Sequence, residues 1–260
     1  MFSKWKNMSL KAARAQLLFN DWNQLKNIVV LDTETTGIKN AEICEVAVLD
    51  LQGNILFESL VKPASPIPLK AQNIHGITDS MVDNSPNWIE VWDKLYPLIK
   101  TKIVLIYNDE FDKRLMIESF KPYEKEASTK TKMRQVNKLN TQCVMRAYSN
   151  LVDSSKWVKL TVACGHPTDH RAIGDCHATI EVVRNNLRSD FSVQDFHYLK
   201  WLSEIQETNN KISTISQQLK LLTEEQVSLL QKQQSLIEQM TTGDFNQETE
   251  IAATKKDDPI

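Results

Sequence analysis

The run Ile28, Val29, Val30, Leu31 reads as a buried strand, and it ends in Asp32, Thr33, Glu34, Thr35, Thr36, Gly37. Alternate side chains of an extended chain leave the same face, so Asp32 and Glu34 aim two carboxylates at one point. Like charges this close repel, and one of them loses its charge unless a cation or hydrogen-bond donors hold both. Hard oxygen donors favour Mg2+ or Mn2+ over zinc, and such an ion keeps waters and accepts phosphate oxygens. Taken alone, the default for such a pair is solvated charge at a strand end. The segment therefore demands a sheet whose interior takes the apolar half and whose rim takes the acids.

The rest of the chain predicts an α/β domain around that strand. Runs at 42–50 and 54–62, joined by a turn containing Gly53, read as a hairpin. Pro63, Pro66 and Pro68 stiffen residues 62–72 into an extended connection leading to NIHGIT. Ser85 and Pro86 mark a helix start, and Trp88, Trp92 and Tyr96 beyond it form a core-facing stripe in preference to a base-stacking platform. KIVLIY is a further strand, and Asn108 caps a helix carrying Phe111, Asp112 and Leu115. Residues 121–140 read as a basic, weakly apolar connection, with Lys121, Lys125, Lys130, Lys132, Arg134 and Lys138 either solvated or lining an approach to a site. Two helices follow, one over 158–165 and one beginning near Asp175.

At the N-terminus, Leu10, Leu17, Leu18, Trp22 and Leu25 predict an amphipathic helix over 9–26 packed outside the main domain. From Trp201 a heptad frame fits, with Ile205, Ile212, Leu219, Gln226, Gln233 and Met240 at a and Trp201, Thr208, Ile215, Leu222, Leu229 and Leu236 at d. About 40 helical residues would make a rod of roughly 60 Å, associating with a second copy or a protein partner through residues 201–240. A helix folded back on the domain is the alternative. The expected division is a helical extension over 1–26, a domain over 27–190, a helical or coiled-coil segment over 191–240 and a disordered polar tail over 241–260. A formal charge of −2 gives no global pull toward nucleic acid, so any such binding must be local. Four cysteines without a CxxC pair, and no signal-like or membrane-spanning segment, fit a cytoplasmic protein.

Three acidic motifs thus fall at ends of core elements, where α/β sites form: DTETTG, YNDEFDKRL and HRAIGDCHAT. Together with IHGIT, and in this order, they closely resemble the DEDDh 3′-to-5′ exonucleases of the DnaQ-like family, over roughly residues 27–188. The resemblance implies an RNase H-like fold, a mixed five-stranded central sheet flanked by helices, here with a long C-terminal helix added. It implies two Mg2+ or Mn2+ ions: Asp32, Glu34 and Asp175 would ligate the first, Asp32 the second as well, and Asp112 the second largely through water. His170 would be the general base, and Thr35 and His75 correspond to positions that contact the terminal nucleotide.

The implied activity is hydrolysis of phosphodiester bonds at free 3′ ends, mainly of single-stranded DNA, releasing nucleoside 5′-monophosphates in proofreading, repair or end trimming. RNA is the alternative substrate, since these residues do not separate 2′-OH from 2′-H. An inactive nucleic-acid-binding scaffold acting through the coiled coil is the alternative role. Cys164, His166, His170, Cys176 and His177 offer soft ligands, but their spacing matches no familiar zinc module.

Overall fold

The apolar strand becomes the middle of a sheet. In the computed structural model, which describes residues 2–242, β1 (Ile28–Thr35) pairs antiparallel with β2 (Ile43–Asp50) and parallel with β4 (Ile103–Ile106). β3 (Ile55–Leu60) and β5 (Asn140–Cys143) are the edges, giving the order β3-β2-β1-β4-β5. β2 and β3 are the expected hairpin, turning at Gly53, whose φ of +90° suits a residue without a Cβ. This is the mixed five-stranded sheet, flanked by helices, that the resemblance implies.

Alternation along β1 divides the core. Val29 and Leu31 face α4 (Trp88–Ile99), α5 (Asp109–Glu118) and α6 (Thr129–Asn137). Ile28 and Val30 face the opposite layer, made by α1 (Leu10–Gln24), α7 (Val144–Leu151) and α9 (Ala172–Asn185). On the first face Trp88, Trp92, Leu95 and Ile99 follow helical spacing and are all buried, each contributing about 1.5–3 kcal/mol by leaving water. Their indole nitrogens are satisfied, Trp88 donating to Met116 O and Trp92 to Gln135 Oε1. The stripe is core, as its spacing predicts. Short helices α2 (Leu69–His75), α3 (Asp79–Val82) and α8 (Leu160–Cys164) complete the order, with 3-10 turns at Phe2–Trp5 and Lys121–Tyr123.

Several local expectations change. The extended connection stops at Pro68, because Leu69–His75 is helical until Gly76 ends it in the left-handed region. Helix α4 is capped by Asn87 and not Ser85: Asn87 Oδ1 accepts from Glu90 N while the Glu90 carboxylate accepts from Asn87 N. Residues 121–140 are not a mere connection; they form a 3-10 turn, α6 and the start of edge strand β5, and Lys132 is buried in an ion pair with Asp93. Helix α1 buries Ala12, Ala13, Ala15, Phe19 and Trp22, leaving Leu18 and Leu25 exposed, so its contact face is rotated from the leucine-based one. Phe19 and Trp22 belong to the second core layer and do not lie outside it.

The chain divides into two units, the second beginning at Trp201. The helix α10 (Val193–Thr242) supplies the described part of that unit, where Ile212, Ile215, Leu219, Leu222, Leu229 and Leu236 are all exposed. Thr241 and Thr242, assigned above to a disordered tail, are helical; from residue 243 that tail lies outside the described residues. Among the described residues no helix is long and apolar enough to cross a membrane.

Candidate active site

The β1–β2 ladder runs in register up to the pair Glu34 and Glu45, then shifts between Glu34 and Thr35, where the sheet gives way to the turn at Gly37. Asp32 lies opposite Ala47, whose small side chain leaves room for α9. Cys176 is buried against that spot, its Sγ 3.8 Å from Val30 O and 3.7 Å from Ala47 O. Its neighbour Asp175 therefore reaches the rim, and oxygens of Asp32, Glu34 and Asp175 lie within 4.8 Å of one another.

Asp112 arrives from the other layer. Thr33, pointing opposite to Asp32, donates its hydroxyl to Asp112 Oδ1 at 2.7 Å, and Asp112 is 4% exposed. It stands outside the group of three within 4.8 Å, yet its charge is felt there.

The electrostatics follow from this crowding. Burial first, then the charges of Asp112, Glu34 and Asp175, push Asp32 well above the ordinary carboxylate range. Burial, Asp175 and Glu45 push Glu34 up to about 9, with Arg171 opposing. Burial raises Asp112 to about 7 against the Thr33 hydrogen bond. Asp175 is raised by burial while the Thr168 hydrogen bond and the neighbouring His170 lower it, and its Oδ1 is buried with no hydrogen-bond partner among the described residues. An orphaned carboxylate oxygen beside two mutually repelling acids is a donor set suited to a hard divalent cation. The soft-ligand set does not assemble in this way: His166 pairs with Glu181 at 2.7 Å, and Cys176 is turned into the sheet.

His170 is exposed and has φ +52°, a left-handed conformation that costs a non-glycine residue energy. The residues on either side hold it there. Arg171 N donates to Asp169 Oδ1 at 3.2 Å, and Asp169 lies so close over Gly174 that a Cβ there would meet its Oδ1 at 2.0 Å. The Arg171 guanidinium makes a forked ion pair with Glu45, and Glu45 Oε2 also accepts from Ala172 N at 2.9 Å. Glu45 is 2% exposed. This brace between β2 and the start of α9 was not foreseen; the signal for it was a lone acid inside the apolar run of β2, since a buried glutamate needs a partner.

Thr35 and His75 line a cleft of about 530 Å3, together with Glu34, Ile38, Ile74 and Phe111. The Thr35 hydroxyl donates to Gly37 O at 2.8 Å and so shapes the turn. His75 is 4% exposed, and Ile77 N donates to its Nδ1 at 3.0 Å; burial lowers its pKa, keeping the ring neutral.

A family model described as Exonuclease, of the RNase T type, matches residues 29–183. The uncharacterized exonuclease CP81 of Escherichia phage 186 is 34% identical over 168 residues, covering 60% of this chain and 85% of its own. The DNA polymerase III subunit epsilon of Buchnera aphidicola subsp. Schizaphis graminum is 29% identical over 109 residues, covering 38% of this chain, which spans only 47% of that protein. Among solved structures, exonuclease X in complex with 5′ overhanging duplex DNA has a TM-score of 0.46 and 23% identity, covering 66% of this chain and 98% of its own.

Proposed function

Since the chain belongs to the exonuclease family whose model spans residues 29–183, we propose that it removes nucleotides one at a time from free 3′ ends of single-stranded DNA. One observation carries the reading: three carboxylates within 4.8 Å of one another, among them an Asp175 oxygen that no donor among the described residues satisfies. In this reading the site is of the DEDDh type, and Asp32, Glu34 and Asp175 would hold one Mg2+ or Mn2+ ion, with Asp32 and Asp112 holding a second. Bound there, the ions would supply Lewis-acid activation of water and neutralise charge on the departing oxygen.

The chain's own residues do the rest. Thr35, His75 and the walls of their cleft receive the terminal nucleotide and orient its phosphate over the acids. A ring nitrogen of His170 takes a proton from the attacking water, whose oxygen forms the new bond to phosphorus as the bond to the 3′ oxygen breaks; that oxygen gains a proton from solvent, and His170 later gives its own back to solvent. The products are a nucleoside 5′-monophosphate and a shortened strand with a 3′-OH. The strained backbone at His170, braced through Arg171 and Glu45, supports a residue held in place for a task. Residues 27–190 carry the chemistry, and residues 201–240, with their exposed apolar row, carry association as a coiled coil with a second copy or a partner. DNA is proposed over RNA because the polymerase III relatives are named for DNA.

The test is a panel of 5′-labelled DNA and RNA strands, free or blocked at the 3′ end, with Mg2+ or EDTA. Metal-dependent laddering from the free 3′ end of DNA, lost in Asp32→Ala and His170→Ala, is the expected result; degradation untouched by Asp32→Ala would refute the assignment.

A further inference from the structure

The exposed row on α10 has flanks that an apolar stripe alone does not require. Along the seam Ile212, Ile215, Leu219 and Leu222 are each more than half exposed, and Thr208, Gln226 and Gln233 interrupt the apolar run. Beside the seam, the g positions of the heptad frame are Glu204, Lys211, Gln218, Glu225 and Lys232. Read from the other end, that series of charges is its own complement: each acid falls against a lysine and the central glutamine falls against itself. The e positions Asn209, Ser216 and Thr223 carry no charge. Flanking charges of this kind decide which helix lies against a seam, and in which direction.

We infer that the partner of residues 201–233 is a second copy of this chain, lying antiparallel, with a two-fold axis level with Gln217. The inference rests on the coiled-coil association proposed above. Turning one helix end over end sets a positions against d positions and brings like flanks together, g with g and e with e. In this register Ile205, Ile212 and Ile215 meet Leu229, Leu222 and Leu219 of the other copy, so three kinds of layer are wholly apolar. The polar interruptions also find each other, because Thr208 meets Gln226. The Thr208 hydroxyl donates to Glu204 O at 2.8 Å within its own helix, which leaves its oxygen to accept from the Gln226 amide.

The flanks agree with the seam. Lys211 lies against Glu225 of the other copy and Glu204 against Lys232, while Gln218 and Ser216 each face their own counterparts. Lys211 also holds Glu207 of its own helix at 2.8 Å, one turn before it, so the lysine would serve an acid on either side. Other arrangements lose this match. Parallel helices set Lys211 by Ser216 and Glu225 by Leu230, and stack Gln226 on itself. Sliding the antiparallel pair by one heptad sets Glu204 against Glu225 and Leu219 against Thr208 in one direction, or Lys211 against Lys232 and Ile215 against Gln226 in the other. The overlap is about 50 Å long and gives about 20 seam and flank residues per copy, the size of a specific interface.

The experiment follows the mass of the full-length protein by light scattering over a dilution series at low salt. It compares wild type, Lys211→Glu, Glu225→Lys, the double variant carrying both reversals, an equimolar mixture of the two single variants, and Ile215→Asp. Wild type should be a dimer, and each single reversal, which sets two like-charged pairs across the interface, should weaken it about 10-fold. The double variant and the mixture should both recover wild-type affinity. Lys211→Glu also gives up the contact with Glu207, but the double variant gives it up too, so recovery reports the contact between copies. A dimer indifferent to the single reversals, or not restored by the double, would overturn the antiparallel register and leave the coiled coil standing. A monomeric wild type would overturn the second copy as occupant. A dimer that survives Ile215→Asp would overturn the coiled coil itself, and the register with it.

Discussion

Glu34 and Glu45 face each other across β1 and β2, and the chain treats them in opposite ways. Glu45 is the more deeply buried, yet it receives a forked guanidinium and a helix N–H, so its charge is answered from within. Glu42, a turn away, is likewise answered by Ala64 N and Ser65 N. Glu34 has no such donors among the described residues; around it are Asp32, Asp175 and Asp112, and its pKa is driven up to about 9. A buried acid supplied with donors is part of the scaffold. An acid surrounded by other acids is waiting for something the chain does not contain.

The most direct way to break this contrast is to remove the charge of Glu34 and find turnover unharmed. Glu34→Gln should instead lower the rate of 3′-end degradation about 10²- to 10³-fold in Mg2+, as read from labelled single strands. Cation linkage sharpens the contrast further. At a hundredfold excess over its Kd, Mg2+ should stabilise the wild type by about 2.7 kcal/mol in melts with and without EDTA, and Glu34→Gln should lose most of that gain. Glu45→Gln should show the reverse pattern, a loss of about 2 kcal/mol without any metal, since the amide keeps one acceptor oxygen for Ala172 N and Arg171 together and no charge for the guanidinium; partial exposure of Arg171 keeps the loss below that of a fully buried pair. Thermal unfolding should register it as a drop of roughly 6 °C.

The smallest effect is on pH dependence. Glu34 has a folded-state pKa of about 9 against 4.5 in an unfolded chain, so its protonation favours the folded state. That contribution is complete below about 4.5 and fades as the pH rises toward 9. Metal-free wild type should therefore lose stability between those values, and Glu34→Gln should flatten the slope by about 1 kcal/mol after allowance for solvent contact. A slope unchanged by the substitution would mean that the chain itself neutralises Glu34.

What could be read in advance follows the range of the physics. Asp32 and Glu34 were legible because period-two alternation and an apolar run are local, and the hairpin at Gly53 was legible for the same reason. The polar edge strand Asn140–Cys143 was not, since an edge with one paired neighbour needs no apolar signature. Helix α6 hid behind lysines because Lys132 is buried through a partner, Asp93, far away in sequence. The α1 face was misjudged because close packing against α7 and α9 favours alanine over leucine, and hydrophobicity alone ranks them the other way. The meeting of Asp175 with β1 was expected through the resemblance alone and not from any local pattern; the Thr33 seat of Asp112 and the Glu45 brace are long-range facts, and only the fold supplies them.

The central place of β1 has a consequence for endurance. Its amides are bonded on both flanks, to β2 and to β4, so the peptide hydrogens of Val30 and Leu31 should be among the last to exchange with deuterium. Stripping the cations with a chelator should silence such a protein and lower its stability by about 2.7 kcal/mol while leaving it folded, and returning them should revive it at once, because the seat never came apart.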